Sequence, residues 1–347
     1  MTKLYRKPAL GLLAALFGYV GLGPVQAADT VGATLGLIQQ RGELFCGVSE
    51  GLSGFSSPDD KGRWTGIDVD FCRALAAATL GDAAKVRFTP LSAKVRFTAL
   101  QSGEIDVLSR NTTFTFTRDV NQALDFPVTT YFDGQGFLVR KALNVTKPRD
   151  LDGATLCVNQ GTTTEQNVAD FFRTRGMTYE LVTFEKSEEA VAAYEAGRCD
   201  VYTSDASGLY AQRIKLHVPG DHVILPDIIS KEPLSPAVRE GDDRWANVVR
   251  WTHYAMLTAE ELGVTQANVE TARKSDNPDI RRLLGIEGDL GAQLGLSADW
   301  GYQVVKQVGN YAEVFDRNVG AGSPLQIERG ENALARDGGL QFAPPMR

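Results

Sequence analysis

Two stretches of the sequence match each other at a distance of 94 residues: Ala99-Leu-Gln-Ser-Gly103-Glu-Ile-Asp106-Val107-Leu-Ser109 and Ala193-Tyr-Glu-Ala-Gly197-Arg-Cys-Asp200-Val201-Tyr-Thr203. Each stretch predicts the end of a helix, a glycine that terminates it and a strand that carries Asp-Val. A repeat at this offset indicates two similar α/β lobes, each with a strand that ends at a corresponding point.

The region around the first stretch alternates strands with helices, as is typical of a parallel sheet covered by helices. The predicted strands cover residues 44–48, 86–89 and 105–109. Residues 66–71 lead into a predicted Ala-rich helix that runs to about residue 80, and a second helix is predicted over residues 93–102. Ser92 is the predicted cap of the second helix. Ligands of open parallel sheets bind beyond the carboxyl ends of the strands. Those ends carry Asn111 in one lobe and Asp205 in the other, so two facing lobes would form a ligand-binding cleft.

Turn-forming residues mark two crossovers between the lobes, at residues 133–136 and 229–233. We therefore expect lobe 1 to comprise residues 28–135 and 232–347, and lobe 2 to comprise residues 136–231. The second part of lobe 1 is expected to carry a helical C-terminal extension. Its predicted helices cover residues 244–261, 278–284 and 299–314, and the final stretch from residue 320 is expected to wrap over lobe 1.

The N-terminus has the three parts of a signal peptide at residues 1–27. Basic residues precede an apolar run at residues 9–20, and Val25-Gln26-Ala27 matches a signal-peptidase site. The alternative is an uncleaved membrane anchor, but the run is shorter than the roughly 20 apolar residues that a spanning helix needs. We therefore expect cleavage and a soluble mature protein outside the cytoplasm.

The charge of the chain excludes some classes of partner. The formal net charge is −7, and removal of residues 1–27, which contain basic but no acidic residues, makes it more negative. An acidic protein is a poor ligand for nucleic acid or for an anionic membrane surface. We expect neither partner, and we expect the mature protein to be a monomer.

The four cysteines, Cys46, Cys72, Cys157 and Cys199, predict disulfide bonds because an exported chain meets an oxidising environment. Three connectivities are possible. The nearest-neighbour pairs, Cys46–Cys72 and Cys157–Cys199, keep each bridge within one predicted lobe. No Cys-x-x-Cys spacing occurs and the three histidines lack ligand spacing, so we expect no metal site and no cofactor.

Two segments could bind an anion such as the carboxylate of an amino acid. Residues 110–119 place hydroxyls, including Thr113, before Arg118 at the start of a predicted helix, and an arginine fork suits a carboxylate. The alternative is an ordinary strand followed by a solvated arginine. Thr162 and Thr163 follow Gly161 at another predicted helix N-terminus, where free N–H groups can hold an anion. The alternative there is an ordinary N-cap, which needs only one threonine.

Asp205 could receive the ammonium group of the same ligand, because it follows a predicted strand at the expected cleft. The alternative is that Asp205 only caps the helix that begins after it.

A series of short blocks extends these candidates along the chain. The blocks are Trp64-Thr-Gly66-Ile-Asp68-Val-Asp70-Phe71, Asn111-Thr-Thr113, Arg118, Leu124-Asp125-Phe126, Gln160-Gly161-Thr162-Thr163, Cys199-Asp200-Val201 before Asp205, Ala237-Val238-Arg239-Glu240-Gly241-Asp242 and Ala259-Glu260-Glu261-Leu262-Gly263. In this order they resemble the periplasmic amino-acid-binding proteins of ABC transporters, solute-binding protein family 3, and in particular its general L-amino-acid-binding branch. The resemblance runs from about residue 42 to the end. It implies the α/β two-lobed periplasmic-binding-protein fold (type II), with the ligand in the interlobe cleft.

The resemblance also implies roles for individual residues. Arg118 would clamp the α-carboxylate with the help of Thr113 and of the Thr162-Thr163 pair from the opposite lobe. Asp205 would pair with the α-ammonium group, and Asn111 would assist it.

The specificity of the site depends on other positions. Phe55, Trp64 and Phe114 are candidate walls for the ligand's side chain, although each could equally be a core aromatic residue. Relatives that prefer cationic side chains carry an acid and an aromatic residue on the first-strand loop, where this chain has Ser49 and Leu52. We therefore expect a broad, or a polar and neutral, specificity.

The implied mechanism is a hinged closure of the two lobes around the ligand, followed by delivery to a membrane permease. An enzyme on the same scaffold is the alternative, and it would need a positioned general acid or base in the cleft. The candidate residues offer one arginine, several hydroxyls and Asp205, without a histidine or paired carboxylates, so we expect no enzymatic activity. A receptor's sensor domain would require a membrane-spanning segment after the lobes.

Overall fold

The computed structural model describes residues 1–2 and 32–347. Apart from its first two residues, the signal peptide predicted at residues 1–27 lies outside the described residues. Among the helices that are described, none combines the length and the apolar character that crossing a bilayer requires.

The strands of the described region are short, as is usual in α/β proteins. They are β1 (Leu44–Val48), β2 (Ser57–Pro58), β3 (Trp64–Thr65), β4 (Val86–Pro90), β5 (Val107–Leu108), β6 (Leu124–Asp125), β7 (Tyr131–Asp133), β8 (Gln135–Arg140), β9 (Thr155–Asn159), β10 (Glu180–Phe184), β11 (Val201–Asp205), β12 (His222–Ile224), β13 (Glu232–Leu234) and β14 (Val238–Arg239).

The helices alternate with these strands and then dominate the C-terminal part. They are α1 (Ala33–Arg41), α2 (Ile67–Leu80), α3 (Arg96–Gln101), α4 (Phe116–Asn121), α5 (Thr163–Thr174), α6 (Ser187–Glu195), α7 (Ala206–Arg213), α8 (Asp243–Glu261), α9 (Val269–Ala272), α10 (Pro278–Leu283), α11 (Leu290–Leu294), α12 (Trp300–Gln307) and α13 (Tyr311–Asn318).

Two separate sheets repeat one arrangement of three parallel strands. The first sheet has the order β4-β1-β5, and the second has the order β10-β9-β11-β8-β12. In the first sheet β1 pairs in parallel with β4 and β5. In the second sheet β9 is the central strand of the corresponding three, and it pairs in parallel with β10 and β11. The prediction of two similar α/β lobes is confirmed.

The repeat extends to individual hydrogen bonds. Asp106 accepts one from the backbone N–H of Phe45 over 2.8 Å, and Asp200 accepts one from the N–H of Thr155 over 3.0 Å. Both aspartates therefore hold the start of the neighbouring central strand. Gly103 and Gly197 have φ values of 80° and 79°, a left-handed conformation that glycine adopts without a steric penalty. The matching aspartates thus make the same hydrogen bond in each lobe, and the matching glycines adopt the same backbone conformation.

The two crossovers lie side by side. Strand β7, before the second sheet, pairs in antiparallel register with β13, after it, so that Asp133 lies opposite Glu232 and Tyr131 lies opposite Leu234. The chain therefore passes between the sheets on two adjacent strands, which is the arrangement that a hinge requires.

The structure corrects two predicted helices. The helix expected over residues 93–102 begins only at Arg96, and the hydroxyl of Ser92 is buried without a hydrogen-bond partner instead of capping it. The prediction of a single helix over residues 299–314 is wrong, because the chain forms α12 and α13 with Gly309 at φ 97° between them. Asn310 caps the second helix by accepting a hydrogen bond from the N–H of Glu313. The spacing of apolar residues does not indicate this helix start.

Each of the two disulfides joins a cysteine to the next cysteine along the sequence. Cys46 on β1 is bonded to Cys72 on α2, and Cys157 on β9 is bonded to Cys199 just before β11. Each bond therefore stays within one sheet and its covering elements. The C-terminal stretch packs against the elements of the first sheet, because Leu334 belongs to the same buried cluster as residues of β1 and α2.

Candidate ligand-binding site

One cavity lies between the strand ends of the two sheets and collects most of the predicted contact residues. Asn111, Thr113, Arg118, Thr162, Thr163 and Asp205 all line it. The first three follow β5, whereas the other three lie at the start of α5 and at the end of β11. The cavity is therefore built from both halves of the internal repeat.

Arg118 points an almost buried guanidinium into this region, with 7% of the residue exposed. Its Nη1 donates to the carbonyl of Thr113 over 2.8 Å, and its backbone N–H is capped by the hydroxyl of Thr115. Burial lowers the pKa of Arg118, and the carboxylates of Glu232 and Asp205 oppose that effect. A buried guanidinium with donors to spare is a suitable partner for a carboxylate.

Thr162 and Thr163 make different hydrogen bonds at the start of α5. The hydroxyl of Thr162 accepts from the N–H of Glu165 over 3.3 Å and donates to the carbonyl of Asn159 over 2.7 Å, so it caps the helix. The hydroxyl of Thr163 turns instead toward the other lobe, where it lies 3.3 Å from the hydroxyl of Thr113. One threonine is thus an N-cap and the second connects the lobes.

Asp205 ends β11 and occupies the N-cap position just before α7, but its side chain makes no cap hydrogen bond. It is 7% exposed. Burial raises the pKa of Asp205 well above its ordinary range, and the neighbouring Asp133 and Glu232 raise it further. A ligand ammonium would favour the ionised carboxylate, because an opposite charge stabilises the charged form.

Asn111 is held in a left-handed backbone conformation, with φ 33°. Its N–H donates to Asp68 over 3.0 Å, and its side-chain Oδ1 is buried without a hydrogen-bond partner in the described residues. Burial raises the pKa of Asp68 to about 7, against the hydrogen bonds from Asn111 and Ser109. A buried acceptor at the cavity wall is what an ammonium donor needs.

Glu232 is a functional candidate that the sequence interpretation missed. Its Oε2 accepts from the hydroxyls of Thr113 over 2.6 Å and Thr163 over 2.9 Å, and its Oε1 accepts from Asn167 and Ser230. We call Glu232, Thr113 and Thr163 the Glu232 cluster. The position of Glu232 in the return crossover was the only sequence signal for it.

Arg96 and Arg110 also line the cavity and were not among the predicted site residues. Arg96 begins α3 and Arg110 follows β5. Ser49 lines an adjoining cavity, which shares Arg110 and Ser187 with the first. Ser49 therefore faces the same cleft region, but through a second compartment.

The three predicted aromatic walls lie elsewhere. Phe55 is 1% exposed in the core and packs edge-on against Tyr131, with ring centroids 5.3 Å apart. Trp64 packs against Phe88, with centroids 6.0 Å apart. Phe114 stacks on Phe126 and lines a different cavity. Each ring packs against another aromatic ring, and none of the three lines the cavity.

Metal binding has no visible basis in the part of the chain that is described. No group of three or more histidine, cysteine, aspartate and glutamate side chains there is arranged to hold an ion.

The sequence pattern of the bacterial extracellular solute-binding proteins, family 3, matches residues 44–263. The chain belongs to this family. The matched region contains both sheets and every residue of the cavity. Membership confirms that the chain is a solute-binding protein and not an enzyme, and that its fold is the two-lobed type II fold of periplasmic binding proteins.

Family 3 proteins with high similarity to this chain are known. The general L-amino acid-binding periplasmic protein AapJ of Rhizobium johnstonii is 56% identical over 338 residues, which cover 97% of this chain and 99% of AapJ. The glutamate/glutamine/aspartate/asparagine-binding protein BztA of Rhodobacter capsulatus is 50% identical over 335 residues, with coverages of 96% and 99%.

A solved structure of the family is similar as well. An ABC transporter periplasmic binding protein from Brucella ovis with glutathione bound is 58% identical and has a TM-score of 0.89. The match covers 90% of this chain and 99% of that chain.

Proposed function

We propose that this protein captures free L-amino acids in the periplasm and delivers them to the permease of an ABC transporter. The observation that carries the proposal is the presence of Arg118 and Asp205 on the walls of one cavity. A zwitterion offers a carboxylate to the first and an ammonium group to the second. The names of AapJ and BztA, both amino-acid-binding proteins, support the proposal.

The proposed contacts follow from this pair of charges. Arg118 binds the α-carboxylate together with the N-terminus of α5 that Thr162 caps, and Thr113 and Thr163 line this part of the site with hydroxyls that donate to Glu232. Asp205 receives the α-ammonium group, and the unpartnered Oδ1 of Asn111 accepts another of its protons. Every charged atom of the ligand's main chain then has a partner.

Closure of the two lobes around the ligand is the proposed mechanism. Lobe 1, residues 28–135 and 232–347, would move relative to lobe 2, residues 136–231, about the paired crossover strands β7 and β13. The ligand contacts residues of both lobes only when they are closed, and this difference shifts the population toward the closed form. The closed form is the one that the permease would recognise.

We also propose that the protein is exported by a signal peptide at residues 1–27, which is then cleaved, and that it acts as a monomer. The tripartite sequence pattern supports export, and so does the periplasmic location in the name of AapJ.

A broad specificity is proposed, since AapJ is named a general L-amino-acid-binding protein, BztA is named for four amino acids and the Brucella ovis protein holds glutathione.

Isothermal titration of the mature protein with the twenty L-amino acids and glutathione tests the proposed function. We expect dissociation constants on the order of 1 μM, or about −8 kcal/mol, for several of them. The D-enantiomers serve as controls, because they have the same charges but misplace the side chain when the α-groups are held. Absence of heat with all twenty L-amino acids would contradict the proposal.

A further inference from the structure

The N-terminus of α7 receives its hydrogen-bond acceptors from another part of the chain. Asp205 occupies the N-cap position, where an aspartate usually accepts a hydrogen bond from the N–H two or three residues further on. Its side chain makes no such bond. The first N–H groups of the helix nevertheless need partners, because no earlier turn of the helix can supply them. The crossover strand β7 and the residue that follows it supply these partners.

Asp133, the last residue of β7, caps the helix in place of Asp205. Its Oδ2 accepts from the hydroxyl of Ser207 and, over 3.4 Å, from the backbone N–H of the same residue. Its Oδ1 accepts from the N–H of Gly134 over 2.8 Å. The carbonyl of Gly134 accepts from the N–H of Ala206, also over 2.8 Å. The first two N–H groups of α7 are therefore bonded to the crossover.

The N–H of Ser207 is the donor for which Asp205 would otherwise compete. Ser207 is the second residue of α7, and an aspartate in the N-cap position commonly accepts from the N–H of that residue. Without Asp133, the carboxylate of Asp205 would be free to rotate toward this N–H and to leave its place on the cavity wall. Asp133 removes the competition because it already accepts from both donors of Ser207.

Asp133 does not reach the ligand site itself. Among the described residues, those that line the cavity of Arg118 and Asp205 do not include Asp133, which lines the separate cavity that contains Phe114. Burial raises the pKa of Asp133 to about 7, and the hydrogen bonds from Ser207 oppose that rise. Its carboxylate is therefore bonded to donors of the protein, and its effect on ligand geometry passes through α7 and Asp205.

The crossover strand is held along both edges, so that Asp133 has a fixed position. One edge of β7 pairs with β13, where Asp133 lies opposite Glu232. At the other edge, the side chain of Asn332 accepts from the N–H of Phe132 over 2.7 Å and donates to its carbonyl over 2.9 Å. Asn332 thus takes the place of a neighbouring strand, and it lies beyond the residues that match the family pattern.

We propose that Asp133 is a positioning residue for ligand binding: it caps α7 in place of Asp205 and leaves the carboxylate of Asp205 free for the α-ammonium group of the ligand. The proposal rests on the proposed function and deepens it, because it names the residue that prepares the ammonium contact. It also connects this contact to the crossover strand about which the lobes are proposed to move.

Titration calorimetry of variants at position 133 tests the assignment. The probe is the member of the twenty L-amino acids that binds the wild-type protein most tightly. Asp133→Ala should lower its affinity about tenfold or more, because Asp205 turns to Ser207 and loses the ammonium group. Asp133→Asn keeps an acceptor for Ser207 and should retain about a third of the wild-type affinity or more. A role of Asp133 through its charge alone would not give this rescue.

The matched control is Asp152→Ala. Asp152 also accepts from the N–H and the hydroxyl of one residue, Thr178, over 2.7 Å and 3.1 Å. It is exposed and does not line the cavity. Loss of this carboxylate should leave the affinity within about twofold of the wild-type value.

A double-mutant cycle shows whether Asp133 acts through Asp205. In the background of Asp205→Ala, Asp133→Ala should lower the affinity by less than about threefold, because the contact that it prepares is already absent. The melting temperature should show the opposite pattern. The double variant should melt lower than the two single shifts together predict, since it alone lacks any aspartate that could cap α7.

Wild-type affinity in Asp133→Ala, or an equal loss in Asp133→Ala and Asp133→Asn, overturns the assignment. A loss in the Asp205→Ala background as large as in the wild-type background overturns it as well. If circular dichroism shows that Asp133→Ala does not fold, Asp133→Val, which also lacks an acceptor but suits a strand, replaces it in every comparison. If no amino acid binds the wild-type protein, the proposed function itself is wrong, which is a different and distinguishable result.

Discussion

The hydroxyl oxygens of Thr113 and Thr163 lie 3.3 Å apart although the two residues belong to different lobes. Both hydroxyls donate to the same carboxylate oxygen of Glu232, over 2.6 Å and 2.9 Å. Because Thr113 follows β5 and Thr163 opens α5, separation of the lobes must break at least one of these bonds. The Glu232 cluster therefore connects the two lobes directly.

Replacement of Glu232 by glutamine tests this role. The amide keeps the shape but loses the charge and one acceptor, and hydrogen bonds to a charged group contribute about 1.5–3 kcal/mol. We expect ligand affinity to fall about tenfold, mainly through faster dissociation, as measured by stopped-flow tryptophan fluorescence.

The control for this variant is Glu240→Gln, whose side chain is exposed. It should leave the dissociation rate unchanged. An unchanged rate in Glu232→Gln as well would mean that the cluster does not contribute to closure.

Arg118→Ala should weaken binding on the order of a hundredfold, because loss of one partner of a buried ion pair costs about 3 kcal/mol. Stability should change little, since none of the salt bridges within residues 32–347 involves Arg118. Titration calorimetry and a thermal melt measure the two effects. Arg173→Ala, which removes an exposed arginine paired with Asp170, is the control and should change neither. Retained affinity in Arg118→Ala would remove Arg118 from the site.

The predicted site residues that line the cavity are those whose position is set by local structure. Asn111, Arg118 and Asp205 reach the cavity because each follows a strand end, and strand ends are visible as a change from apolar to polar residues. Asp106 and Asp200 form equivalent hydrogen bonds because each has the same neighbours in the repeat.

The residues that were missed depend on contacts distant in sequence. Arg96 and Arg87 share identical neighbours in two copies of the hexapeptide Ala-Lys-Val-Arg-Phe-Thr, yet one is buried in the cavity and the other is exposed. No local pattern can distinguish them. Phe55 and Trp64 pack against other aromatic side chains and do not line the cavity, since an aromatic side chain carries no sequence signal for which apolar surface it will meet.

The disulfide of lobe 2 is expected to stabilise folding without affecting recognition. Cys157 and Cys199 are 42 positions apart, and closing a loop of this length contributes about 4 kcal/mol in the chain-entropy model. The double variant Cys157→Ala/Cys199→Ala should therefore melt about 10 °C lower while its affinity at 20 °C stays within about twofold.

Differential scanning calorimetry measures the melting temperature of this variant. The corresponding variant of Cys46 and Cys72, which are 26 positions apart, should lose slightly less because its loop is shorter. A melting temperature unchanged in both would contradict the stabilising role.

Ligand binding should release protons from Asp205. Burial and the acidic neighbours Asp133 and Glu232 hold the pKa of Asp205 well above its usual value, which favours the protonated carboxyl. A ligand ammonium favours the ionised form and lowers that pKa. By linkage, affinity should then rise with pH, by up to about tenfold per pH unit, until pH exceeds the pKa of the unliganded state.

Titrations at one pH in buffers of different ionisation enthalpy count the released protons directly. We expect a net release of protons on binding to the wild-type protein, and none from position 205 in Asp205→Asn, whose amide cannot titrate. The variant should bind more weakly because the ammonium loses its counter-charge, yet with an affinity nearly independent of pH. If the wild-type heat is the same in every buffer, Asp205 does not change its protonation on binding, and the ammonium must pair with an acid that is already ionised.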